Sequence, residues 1–112
     1  RHFLSEMVLS TEPVLADRQT SSLEALIPNQ DQYDDRLGAY LLRAGAGMTV
    51  SGPDPRGSGG QYYLVMNGGL TYKGADYPLW SLLFVGPEDG PCTITAGAGG
   101  VEVFIGQYPR RD

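Results

Sequence analysis

The stretch that most constrains this chain is Gln61 to Leu70, QYYLVMNGGL. Aromatic, β-branched and long apolar side chains crowd Gln61 to Met66 and favour extended backbone, while Asn67, Gly68 and Gly69 tolerate the positive φ of a tight turn. The pattern predicts one arm of a hairpin closed at 67–69. An arm of this kind needs a sheet to sit in, and the rest of the chain is suited to supply one. Sixteen glycines and eight prolines punctuate 112 residues. The apolar runs between them are too short for long helices and right for brief strands.

The remaining elements follow from that punctuation. Phe3 to Ser10 predicts a strand, ended by Pro13. Ser21 to Ile27 carries Ser21 and Glu24 at capping-box spacing, and Pro28 cuts it to a single helical turn or a short strand. Asn29 to Arg36 is a polar loop whose Asp31, Asp34 and Asp35 lack calcium-loop spacing, so a solvated loop is expected there. Leu37 to Ala44 predicts a strand, which a turn at Gly45 to Gly47 leads into Met48 to Val50. Ser51 to Gly60, with its prolines and glycines, predicts a loop. A turn at Lys73-Gly74 leads into Tyr77 to Val85, apolar enough to predict one strand buried on both faces. Cys92 to Thr95 and Val101 to Ile105 predict the last strands, separated by a glycine turn at Ala96 to Gly100. Short strands joined by glycine turns describe an all-β jelly roll or closed barrel.

Charge and cysteine content narrow the partners. A formal charge of −5 argues against a nucleic-acid phosphate backbone, which calls for a basic face. No apolar run reaches membrane-spanning length, and no signal-peptide pattern is present. The single cysteine, Cys92, excludes a disulfide within these residues, so the expected compartment is the reducing cytoplasm. One domain over 1–112 is expected, with its core over about 37–108 and a short N-terminal extension. Because the chain starts at Arg1 rather than Met, it is expected either to stand alone or to be part of a longer two-barrel polypeptide.

At this point the residues resemble a cupin. Gln61 and Gly68 keep the spacing of the glutamate and closing glycine of the first cupin motif, with Gly47 in the role of its opening glycine. Ser81, Pro87 and Cys92 fall at the intervals at which the second motif carries glycine, proline and histidine. The resemblance spans roughly Leu37 to Tyr108 and implies a cupin-type double-stranded β-helix, a jelly-roll barrel that commonly pairs as a homodimer through a sheet face. It also implies a metal held by two histidines, a glutamate and a further histidine. Here the histidine pair falls on Asp54 and Arg56, or on Pro55 and Gly57. Gln61 replaces the glutamate and Cys92 the last histidine. Neutral imidazole and carboxylate suit divalent metals, whereas a guanidinium repels them. The only histidine, His2, stands at the chain end. No metal and no cofactor are therefore expected, and the His-Asp dyad of the sugar-epimerase members is missing as well.

Strand alternation nominates a lining. If Gln61 points inward, so do Tyr63 and Val65, while Tyr62, Leu64 and Met66 point outward. Arg56, Gln61, Tyr63 and Cys92 are the expected ligand-binding set, with Arg56 shaped to grip a carboxylate; the competing expectation is a barrel packed solid by its own side chains. A buried structural thiol is the simpler expectation for Cys92, ahead of a ligand-contacting or redox one. The outward residues, grouped with Trp80 and alternate members of Leu82, Phe84 and Val103, form a face too apolar for water. A second sheet layer or a second subunit must cover it. The primary expectation is a metal-free domain that binds a small organic ligand or serves in oligomerisation. The alternative is a metal-independent enzyme acting on a carbonyl or carboxylate substrate, with Tyr63 as acid and Arg56 as anion clamp.

Overall fold

The computed structural model describes residues 14–27 and 36–110. The expected strand at 3–10, His2, and Asp31, Asp34 and Asp35 lie outside them. The described residues contain seven strands and no helix: β1 (Ser22–Ala25), β2 (Gly38–Ala44), β3 (Thr49–Ser51), β4 (Gln61–Tyr72), β5 (Ala75–Tyr77), β6 (Leu82–Val85) and β7 (Thr93–Gln107). All pairings are antiparallel. The architecture is the jelly-roll barrel that the punctuation predicts.

Two long strands organise it. β7 runs beside β4 along most of its length, but the register slips between Val65 and Asn67 and again between Gly68 and Leu70. On one side of these bulges the pair is flanked by β2 and β6, and on the other by β3 and β5. One continuous sheet thus turns back on itself and encloses the space between its halves, because a bulge bends a strand and steepens its twist.

This is where the glycine runs act. Gly68 has φ 68° and Gly100 φ 78°. A β-carbon on Gly68 would overlap the Gly100 carbonyl, so side chains are excluded from the bend. The hairpin expected to close at 67–69 does not close there, and Ala96–Gly100 is not a turn. In both places one glycine takes a positive φ, as expected within 67–69, but it serves a bend within one strand rather than a turn. The hairpin closes instead at Lys73-Gly74, between Tyr72 and Ala75.

The single strand expected from Tyr77 to Val85 is two. Trp80 takes φ 69°, its N–H donates to Val65 O at 2.8 Å, and β5 ends before it while β6 starts after it. Nor is this segment buried on both faces: Trp80, Leu82 and Phe84 are each 60–63 % exposed. The Ser21–Ile27 segment adopts the strand option and pairs β1 with β2.

The core lies between the sheet halves. Leu42, Tyr63, Val65, Val85, Val103 and Ile105 come from one half and Leu70, Cys92, Ile94 and Ala96 from the other, all nearly inaccessible to water. Val103 belongs to this core rather than to the outward set, since it pairs with the inward-facing Leu42 and Val65. A buried carboxylate sits on the opposite face of β7. Glu102 is fully buried and accepts from Arg43 Nε at 2.7 Å and from Asn67 Nδ2 at 2.8 Å. These charge-assisted bonds offset part of its desolvation.

Candidate functional site

The alternation expected along β4 is present. Gln61, Tyr63 and Val65 are buried, and Tyr62, Leu64 and Met66 between them are only partly so. Strand period alone therefore brings an amide and a phenol to the inner face.

Gln61 is tied into the barrel end. Its Nε2 donates to Pro53 O at 3.0 Å and to Gln107 Oε1 at 2.9 Å, and Gln107 Nε2 in turn donates to Arg36 O at 2.6 Å. Gln61 and Gln107 oppose each other across β4 and β7, so their side chains share a face. Gln61 Oε1, however, is buried with no hydrogen-bond partner.

Tyr63 shows the same deficit in sharper form. The residue is fully buried and its hydroxyl has no hydrogen-bond partner. The hydroxyl abuts Gly52, where an added β-carbon would overlap it, and the Gly52 N–H donates to Cys92 O at 2.9 Å. Burial pushes the phenol pKa well above its ordinary range, with the neighbouring Cys92 thiol and then Tyr72 adding to the rise. Burial likewise pushes the Cys92 thiol up to about 11, against partial relief from the Tyr63 hydroxyl and the Lys73 ammonium. The hydroxyl and thiol are thus close enough to shift each other's titration without forming a hydrogen bond of ordinary geometry. Both shifts favour the protonated form over the charged one.

Cys92 also opens outward. With Tyr72, Lys73, Val85, Asp89 and Pro91 it lines a cleft of about 340 Å³. The Lys73 ammonium lies 5.2 Å from the centre of the Tyr72 ring at this rim, and Tyr72 is the first cause of its raised pKa. Asp89 Oδ2 accepts from Gly86 N–H at 2.7 Å.

Arg56 stands apart from this group. Its side chain is 64 % exposed, its Nε lies 3.0 Å from Asp54 Oδ1, and its second nitrogen donates to Asp54 Oδ2 at 3.1 Å. A carboxylate already fills the fork expected to grip a ligand, and that pairing lowers the Asp54 pKa. Of the four expected site residues, the structure brings Tyr63 and Cys92 together, puts Gln61 on the same inner face, and leaves Arg56 at the surface. Lys73, Tyr72, Asp89 and Gln107 were missing from the expected set.

The metal implied by the resemblance finds no matching donors here. Among the described residues no three His, Cys, Asp or Glu side chains converge to hold a cation. Gln61 offers one neutral amide oxygen and the Arg56 position a cation, which leaves the Cys92 sulfur as a lone soft donor. These residues do not fit a divalent transition metal.

The outer face of the first sheet half is aromatic and aliphatic. Register places Tyr62 opposite Phe84, and Leu64 between Leu82 and Phe104. Tyr62 contacts the Phe104 and Tyr108 rings at centroid distances of 5.9 and 5.7 Å. The second half presents hydroxyl pairs to water instead, Thr49 with Thr95 and Ser51 with Thr93, both at 2.9 Å.

Comparison with known proteins bears on the fold. No family model matches the sequence, and no curated protein does. Among solved structures, an RmlC-like cupin protein from Desulfovibrio desulfuricans superposes with a TM-score of 0.66 at 17 % identity, covering 96 % of this chain and 97 % of that one. A protein of unknown function from Rhizobium leguminosarum bv. viciae 3841 superposes with a TM-score of 0.55 at 12 % identity, covering 94 % and 100 %.

Proposed function

The chain has a cupin-type fold, and from that premise we propose a metal-independent binding domain that holds a small organic molecule against Tyr63, Gln61 and Cys92. One observation carries this: Tyr63 is fully buried and its hydroxyl has no hydrogen-bond partner, only a polar contact with the Cys92 thiol. An orphaned buried hydroxyl costs about 1–3 kcal/mol, and a polar guest is one partner that removes this cost. The Gln61 oxygen on the same face adds an acceptor to this donor. Gly52 bears on the assignment, because its missing side chain is what makes room for the phenol oxygen.

Binding is favoured over the enzymatic alternative by two features. The thiol is held at about 11, far from the thiolate a nucleophile requires, and the Nε side of the exposed Arg56 guanidinium is engaged by Asp54. Solvent extraction of the purified protein tests the proposal. A small molecule enriched over extracts of Tyr63→Phe supports it, and equal extracts from the two proteins defeat it.

The apolar outer face supports a second component, a homodimer. Leu82 is 63 % and Phe84 60 % exposed on β6, in register with partly buried Tyr62 and Leu64. A contiguous surface of this kind is characteristic of an interface. Sedimentation velocity decides it: a dimer that Phe84→Glu converts to monomer is expected, and a monomer at high concentration removes this component.

A further inference from the structure

We propose that the cleft beside Cys92 takes a small monocarboxylate, gripped by Lys73 and met by the Cys92 thiol, both of which line it. This rests on the ligand-binding proposal for the same site and adds the chemical class.

The backbone of Lys73 is the first reason. Lys73 and Gly74 form a two-residue hairpin loop with φ of 49° and 79°. Positive φ at both central residues is the type I′ pattern, whose first position favours Asn, Asp or Gly. A lysine there accepts a conformation uncomfortable for its side chain, and strain of this kind clusters at ligand clamps. What the lysine gains is position: its ammonium is held 5.2 Å from the Tyr72 ring, at the edge of the cleft that Tyr72 helps to line.

The second reason is the balance of donors and acceptors. Among the lining side chains Lys73 brings three N–H groups and Cys92 an S–H. Against these stands the Asp89 carboxylate, one oxygen of which the Gly86 N–H already occupies. A ligand entering here must therefore supply acceptors, and negative charge is matched by the ammonium. Asp89 also sets the upper limit, since it repels a dianion and leaves its other oxygen for a hydroxyl or amine on the guest. The volume, about 340 Å³, lies at the small end of the roughly 300–1,000 Å³ usual for ligand pockets.

Backbone NMR titration of the whole 112-residue chain tests the assignment, using propionate and benzoate beside propionamide and benzamide as probes. The acids should shift the resonances of Tyr72, Lys73 and Cys92, and should do so more weakly as salt rises. Lys73→Asn should weaken them at least tenfold while leaving the amides unchanged, and Lys73→Arg should restore most of the affinity. Asn suits the turn, so this variant should melt no lower than the parent, and loss of binding is then not loss of fold. Acids and amides binding equally would overturn the carboxylate assignment and leave the pocket standing. Unaltered acid binding in Lys73→Asn would do the same. No response to any of the four probes would overturn both.

Discussion

Replacing Tyr63 with Phe removes one oxygen and nothing else, and the structure gives that change an unusual sign. A buried tyrosine that hydrogen-bonds loses stability on this substitution. Here the hydroxyl has no hydrogen-bond partner, so ligand-free protein sheds an unmet donor whose desolvation costs about 1–3 kcal/mol. Against this stands the polar contact with the Cys92 thiol, which is not a full hydrogen bond. A net gain of about 1 kcal/mol is expected, which for a domain near 100 residues raises Tm by about 4–8 °C. Calorimetry on dialysed protein measures it. A second readout comes from the thiol. The Tyr63 hydroxyl is the first influence holding the Cys92 pKa down against burial, so its loss should slow the reaction of Cys92 with an aromatic disulfide at pH 9. A fall in Tm of similar size in the ligand-free variant would show that the hydroxyl is satisfied, and the inference of a waiting site would lose its basis.

Other changes test neighbouring parts of the account. Gly52→Ala sets a methyl on the Tyr63 oxygen, so it should destabilise the parent and cost far less in a Tyr63→Phe background; a double-mutant cycle by urea unfolding reads a coupling of about 1–3 kcal/mol. The raised Cys92 pKa fixes an alkaline dependence. Folding favours the protonated thiol, so its contribution is whole below the ordinary value of 9.0 and is lost as pH rises towards about 11. Tyr63 acts in the same direction, and Cys92→Ala should flatten the slope in that window without abolishing it. Glu102→Ala removes the buried acceptor shared by Arg43 and Asn67 and should cost about 1–3 kcal/mol in urea, more than Glu24→Ala at the exposed end of the same ion network.

Much of the barrel was legible because strand period and glycine chemistry are local. The alternation of Gln61, Tyr63 and Val65 needed only β geometry, and the positive φ of Gly68 and Gly100 follows from residue type. Whether positive φ reverses a chain or bends it was not legible, because the partner strand decides it. Beside β7, 67–69 is a bulge; Lys73-Gly74, a weaker turn signal, makes the actual reversal. Tyr77 to Val85 misled for a related reason, since its apolar character belongs to an exposed face rather than to a strand buried twice.

The site divides along the same line. Tyr63 and Gln61 were found by period, and Cys92 by its resemblance to a ligand position. Arg56 was placed inside on motif spacing, although Asp54, two residues away, is a closer partner than any ligand. Lys73 left a signal that was there to be used: a lysine where a tight hairpin prefers asparagine. Gln107 left none, because its role depends on a cross-strand partner 46 residues away.

Native mass spectrometry of protein purified without tag or chelator tests the central claim most directly, since one spectrum weighs organic guests and metal ions together. A chain carrying a small organic adduct that vanishes in Tyr63→Phe is the expected result. A chain carrying one divalent metal ion per copy, unchanged in that variant, would contradict it.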